Sequence, residues 1–257
     1  MIIESMRFSQ FQLERIAKDF WSGADPTQGP NDIQAAASLY LRVDIVLLPE
    51  LSLAKIRVWL EERNSAHVFD GINVSERTLH GFVLNRYGIA AIFINTSDSD
   101  VNQRFTIAHE ISHFLLDHKL PRDEAILKLG PSIQEVLDVR RKATLPERVN
   151  SVLRGIDIGP QSHLLEKEGD GSFEKCGNFH AENDADRLAL ELLAPRHKVI
   201  SETLAGSKSL SYAVFIDRCE HILLLRYRLP SDMVHHYAAM LAHPITGGPS
   251  ILDKLEL

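Results

Sequence analysis

Residues 97–118 read SDSDVNQRFTIAHEISHFLLDH, and the fold is organised around this stretch. It opens with side chains that favour helix starts, and Asp100 with Gln103 three positions on has the spacing of a capping box. Phe105, Ala108, Ile111, Ser112, Leu115 and Leu116 then recur at helical intervals, which predicts one helix from about Val101 to Asp117 with a buried face. Inside it lies His109-Glu110-Ile111-Ser112-His113, an HExxH sequence. Four residues make about one helical turn, so both imidazoles share a face and can converge on one metal ion, with Glu110 beside them. The pattern fits a hydrolase in which zinc activates water and polarises a carbonyl while Glu110 takes the water's proton and passes it to the leaving amine. Unpaired imidazoles on a buried helix face would otherwise cost stability, which favours a metal over chance.

Catalytic zinc takes three protein ligands and keeps a fourth position open, so another helix must supply a donor. Strong periodicity returns at Ala181 to Leu193, stopped by Pro195. That segment opens with Glu182 and Asp186, four apart and on one face. Glu182 suits a ligand, and Asp186 suits holding a ligand histidine by its outer N–H. The same residues, with Asn183 and Asp184, also fit a solvated acidic helix start favoured by the helix dipole. His180 is a further candidate as ligand or oxyanion donor, although two residues from Glu182 it falls on nearly the opposite face. His118 reads as a histidine closing a helix C-terminus, and Cys176 as a buried thiol rather than a fourth zinc ligand.

Outward from these helices, Leu79 to Leu84 and Ile89 to Asn95 read as an antiparallel hairpin around a turn at Asn85 to Gly88. Before them come helical spacing at Phe8 to Phe20, the Gly-Pro-rich stretch SGADPTQGPN, a helix at Asp32 to Tyr40, a short apolar run at Val43 to Leu48 and a helix at Leu51 to Glu62. Between His118 and the second block, Pro121, Pro131, Pro146 and Pro160 interrupt the pattern; Ser132 to Lys142 and Glu147 to Arg154 read as short helices and GPQSHLLEKEGDGS as a loop. Two amphipathic helices follow, at about Ser211 to Leu225 and Ser231 to Leu241.

The composition sets limits. The chain has 257 residues, 44% hydrophobic and 25% charged, with a formal net charge of -7. That is globular composition, and the acidic balance argues against a main role in holding phosphate backbone. Two cysteines, Cys176 and Cys219, provide no disulfide framework, and the charged N-terminal stretch lacks the apolar core of a signal peptide, so a cytoplasmic protein is expected. The longest apolar runs fall well short of the roughly 20 residues that span a bilayer, so no membrane association is expected.

The stretch GFVLNRYGIAAIFINTSDSDVNQRFTIAHEISHFLLDH from Gly81, followed by ENDADRLALELLAP from Glu182, resembles the ImmA/IrrE family of metallopeptidases. That family's pattern is a small sheet, then RFTLAHELGH, then ExxA[ND]xFAxxLLMP. Both blocks occur in order, and the resemblance runs from about Ala35 to Pro195. It implies one Zn²⁺ per chain held by His109, His113 and Glu182, with Glu110 as the catalytic base. Ser112, Leu188 and Ala194 replace the usual glycine, phenylalanine and methionine; these substitutions affect packing and leave the ligands intact. About seventy residues separate His113 from Glu182, where family members have few, so the third ligand rests on the pattern rather than on spacing.

The resemblance also implies a protein substrate: site-specific cleavage of a helix-turn-helix transcriptional repressor in a stress or mobile-element response. The other reading is a catalytically weak zinc-bound regulator, or a toxin–antitoxin component, acting by protein binding. HILLLRYRLPSDMVHHYAAML near the C-terminus resembles a helix-turn-helix-like piece carried by some members. Its second helix would present Asp232, His235, His236 and Tyr237 but no Lys or Arg, so packing or substrate docking is expected rather than DNA binding. The expected fold is α+β, mostly helical, with a small antiparallel-containing sheet packed on the HExxH helix in a zincin-like manner. The expected organisation is an N-terminal helix and linker (1–30), a metallopeptidase core (31–200) with an insertion at about 119–178, and a C-terminal helical segment (201–257).

Overall fold

Helix α4, Asp100–His113, starts one residue earlier than its sequence spacing suggests, because Ser99 is the cap: its hydroxyl accepts from the Asn102 N–H. Asp100 lies in the first turn, where its charge suits the helix dipole. Gln103 does not reach back to close a capping box; its amide donates to the carbonyls of Asp98 and Thr96 in the preceding turn. The computed structural model describes residues 7–24, 32–41, 43–65, 76–86, 89–156, 176–207 and 209–249, with the side chains of residues 86, 89 and 176–179 outside that description. The loop read at GPQSHLLEKEGDGS, the tip of the hairpin and the Cys176 thiol therefore lie outside the described residues.

The described elements are α1 (Gln10–Gly23), α2 (Ile33–Leu41), β1 (Asp44–Leu48), α3 (Leu53–Glu61), β2 (Gly81–Arg86), β3 (Ile89–Asn95), α4, α5 (Leu120–Leu129), α6 (Gln134–Leu137), α7 (Leu145–Leu153), α8 (Cys176–Leu193), α9 (Arg196–Thr203), α10 (Tyr212–Leu225) and α11 (Ser231–Thr246). The protein is mostly helical with one small mixed sheet, as the sequence pattern predicts. Strand order is β1-β3-β2. β2 and β3 form the expected antiparallel hairpin, with Phe82 opposite Phe93, and β1 joins β3 in parallel, with Val46 opposite Phe93.

Alternation along β3 explains how so small a sheet sits between helices. Ile92 and Ile94, with Val83 of β2, face a large core shared with α1, α2, α4 and α8. Ala91 and Phe93, with Phe82 and Leu84, face a second cluster formed with Leu53, Ile56 and Leu60 of α3. A strand with apolar residues on both faces reads as a continuous run, as IAAIFIN does. α4 packs against both hairpin strands on one side and along α8 on the other, which brings the two chemistry-bearing segments of the sequence together.

The helix run does not stop at Asp117. It passes through a π-helical turn, Phe114–Lys119, directly into α5, and the Leu120 N–H reaches back five residues to the Leu115 carbonyl. A proline inside an α-helix clashes with the carbonyl four residues back, here that of Asp117, and the wider π turn absorbs the conflict that Pro121 creates. His118 is accordingly not a helix terminus: it is buried within this turn beside Phe114. At the other end of the chain α10 and α11 form a helical pair against α9. Tyr237 is not presented on the surface of α11; it is buried, and its hydroxyl donates to the Ala194 carbonyl at 2.8 Å.

Candidate metal centre

Successive turns of α4 carry His109 and His113, and the facing turn of α8 carries Glu182. The two Nε2 atoms are 3.0 Å apart. Glu182 approaches them with one oxygen each, Oε2 at 3.4 Å from His109 Nε2 and Oε1 at 3.5 Å from His113 Nε2. A tetrahedral zinc with ligand distances of about 2.0–2.2 Å places neighbouring donor atoms roughly 3.3 Å apart, so the three side chains hold their donors at the edges of such a site. Among the described residues this is a group of three metal-type ligands with donor atoms within 4.8 Å of one another.

The outer nitrogens fix how the inner ones face. His109 Nδ1 lies 2.8 Å from Asp186 Oδ1, and His113 Nδ1 lies 3.2 Å from Asp117 Oδ2. An ionised carboxylate only accepts, so each imidazole carries its proton on Nδ1 and turns the Nε2 lone pair inward. Two lone pairs 3.0 Å apart repel unless a cation lies between them. Where no metal takes those lone pairs, the same surroundings would draw in a proton instead: burial opposes charge on His109, but Asp186 and Glu182 outweigh it and push the imidazole up to about 10. His113 moves the same way, against burial, through Asp117 and Glu182. Glu182, despite burial, is held well below the usual carboxylate range by the two histidines. The pocket thus favours a positive charge, and the donor chemistry, two imidazoles and a carboxylate, fits a divalent metal.

Glu110 occupies the next position on α4 and is buried, but its carboxylate points to the sheet side of the site. Burial raises its proton affinity; the two imidazoles offset this, Glu182 adds to it, and a hydrogen bond with the Val83 backbone lowers it again. Gly81, at the start of β2, is what permits the approach: a Cβ there would lie 2.6 Å from Glu110 Oε1 and 2.5 Å from Thr106 Cγ2. A carboxyl group raised towards neutrality beside a cation site can accept a proton and give it back.

Of the residues singled out in the sequence, His109, His113 and Glu182 converge, Asp186 meets His109, and Glu110 lies alongside. His180 is not among the converging donors; it sits one turn before Asp184 and affects that carboxylate electrostatically. Sequence reasoning missed Asp117, although its spacing from His113, four residues, is the same signal that pairs Glu182 with Asp186. It also missed Arg7, which lies 2.7 Å from the other oxygen of Asp117.

The arrangement is a candidate metal site of two histidines and one carboxylate carried on a helix pair. Residues 70–134 match the family model described as Peptidase_M78, the IrrE N-terminal-like domain, which supports the ImmA/IrrE resemblance and with it a metallopeptidase-type function, a metal cofactor and a protein substrate. The matched region contains α4 with both histidines and ends before α8, so Glu182 enters the site through geometry. No curated protein and no solved structure matches the chain. Among the described residues no helix is long and apolar enough to cross a membrane.

Proposed function

We propose that this protein is a zinc-dependent metalloendopeptidase, with His109, His113 and Glu182 as ligands, Glu110 as general base and a helix-turn-helix transcriptional repressor as its substrate. The observation that carries the reading is the convergence of the two Nε2 atoms and the Glu182 carboxylate at 3.0–3.5 Å, with both outer nitrogens held by carboxylates. A zinc ion, when bound, supplies Lewis acidity that makes water a nucleophile near neutral pH and polarises the scissile carbonyl. Glu110 accepts the proton released from water and carries it to the leaving amine, and its buried position beside β2 keeps that proton from solvent. Asp186 and Asp117 orient the histidines. The repressor as substrate, the stress or mobile-element setting and action in the cytoplasm follow the ImmA/IrrE resemblance.

The C-terminal pair α10–α11 fits a packing or docking element better than a DNA reader. α11 carries no Lys or Arg, and its exposed residues include Asp232, His235 and His236, so it lacks the cations that phosphate contacts need.

Elemental analysis of the purified protein and of His109→Ala and Glu182→Ala tests the ligand set: about one zinc per chain is expected in the wild type and a loss in both variants. Glu110→Gln then tests the chemistry. It should keep its zinc and fail to cut a candidate repressor. Full biological output from a zinc-loaded Glu110→Gln protein would replace the peptidase reading with a zinc-bound regulator that acts by binding.

A further inference from the structure

The two histidines are supported unequally. His109 leans on Asp186, whose side chain is 34% exposed, so water shares that carboxylate. His113 leans on Asp117, which is 11% exposed and has both oxygens engaged by protein: Oδ2 by His113 Nδ1 at 3.2 Å and Oδ1 by Arg7 at 2.7 Å. Arg7 comes from the segment before α1, 110 residues away in sequence. Its guanidinium lies 5.4 Å from the Phe8 ring, and Phe8 packs on the main core, which limits the freedom of the arginine stem.

The same short segment is fastened to the other ligand-bearing helix. Arg187 of α8, five residues past Glu182, donates to the Phe8 carbonyl at 3.0 Å and to Asp184 at 3.1 Å. The Gln10 amide reaches Glu191 at 3.4 Å. Residues 7–10 therefore link the turn that follows His113 to the helix that carries Glu182.

Building on the metal-site reading above, we propose that Arg7 is a positioning residue for the metal centre, setting metal affinity by fixing the Asp117 carboxylate that orients His113. The N-terminal segment is then a support that the site depends on. Anything that separates Arg7 from Asp117 loosens the His113 ligand while leaving all three ligands in place.

The test is zinc affinity of the full chain, measured by competition with a chromogenic zinc chelator, together with the visible spectrum of the cobalt-substituted protein. Loss of an outer partner of a metal-bound histidine typically costs about 10–100-fold in affinity, and that range is expected for Asp117→Asn. Arg7→Gln, acting one link further out and on a partly exposed pair, should weaken zinc by roughly 3–10-fold and alter the cobalt bands. Arg7→Lys should recover part of the loss. Gln10→Ala, which loosens the same segment without touching Asp117, should lower thermal stability and leave affinity and cobalt bands unchanged, separating positioning from general docking. In an Asp117→Asn background Arg7→Gln should add nothing further. Wild-type affinity and cobalt bands in Arg7→Gln, or an equal loss in both backgrounds, would overturn the proposal while leaving the metal site intact. A wild type that takes up no zinc would remove the metal reading and this proposal together.

Discussion

Glu191 offers a test of the structure that needs neither metal nor substrate. It is buried on α8, four residues before Pro195. α9 begins directly after that proline, which provides no side-chain cap. Glu191 supplies the missing acceptor: its two oxygens lie 3.3 and 3.2 Å from the Arg196 backbone nitrogen. Burial pushes its carboxyl from the ordinary 4.5 up to about 7, with the Arg196 N–H pulling down and Glu14 adding to the rise. A folded-state value above the unfolded one means the native protein holds this proton more tightly. The associated stability is fully present below pH 4.5 and is lost as pH rises through about 7. Each pH unit in that window is worth about 1.4 kcal/mol, so the window amounts to roughly 3 kcal/mol at most. Glu191→Gln keeps an acceptor for Arg196 and has no charge to bury. Its stability should therefore match wild type near pH 5 and exceed it by about 2–3 kcal/mol at pH 8, less any cost of an unpaired amide N–H. In urea unfolding this is a midpoint difference of about 1 M, growing with pH. Trp21, whose indole donates to the Leu192 carbonyl on α8, is a fluorescent reporter beside the change. A wild-type-minus-variant difference that stays flat from pH 5 to 8 would refute this account of Glu191.

Three further outcomes are expected. Gly81→Ala places a Cβ against Glu110 and Thr106, so it should retain zinc on chelator titration yet lose about 100-fold in kcat/KM, the cost of displacing a reacting group by about 1 Å; undiminished cleavage would remove Gly81 from the argument. Zinc held at about a hundred times its Kd should raise unfolding stability by about 2.7 kcal/mol, readable as a higher Tm, and His113→Ala should abolish the increment. Arg187→Ala strands the buried Asp184 and the Phe8 carbonyl and should cost about 3 kcal/mol in urea unfolding, whereas a loss under 1 kcal/mol would mean that Asp184 takes up a proton in place of its partner.

The parts of this molecule legible in its sequence are those whose cause is local. The helical period of α4 and α8, the alternation of the hairpin and the four-residue spacing of His109 with His113 and of Glu182 with Asp186 are all set by neighbours within two turns. Errors arose where a local rule met a tertiary or backbone exception. Pro121 reads as a helix stop, yet the chain widens into a π turn and continues, because Leu115, Leu116 and Ala125 on the two sides of it are buried. Tyr237 follows two exposed histidines on α11, but its ring faces inward and its hydroxyl satisfies the carbonyl before Pro195.

The candidate site divides along the same line, and the division bears on how such a centre is held. A metal ligand set can be written in i and i+4 spacings because one helical turn aims two side chains at one point. The groups that fix each ligand's orientation obey no such spacing, since any chain segment that reaches the outer nitrogen or its carboxylate will serve. Asp186 and Asp117 are readable because they happen to share helices with the ligands. Arg7 is not, and neither is Gly81, whose missing Cβ matters only because β2 crosses α4 at Glu110. Variation that retunes the site without touching a ligand therefore has its widest scope in the N-terminal segment and the start of β2, where sequence spacing imposes no constraint and the geometry around His113 and Glu110 still responds.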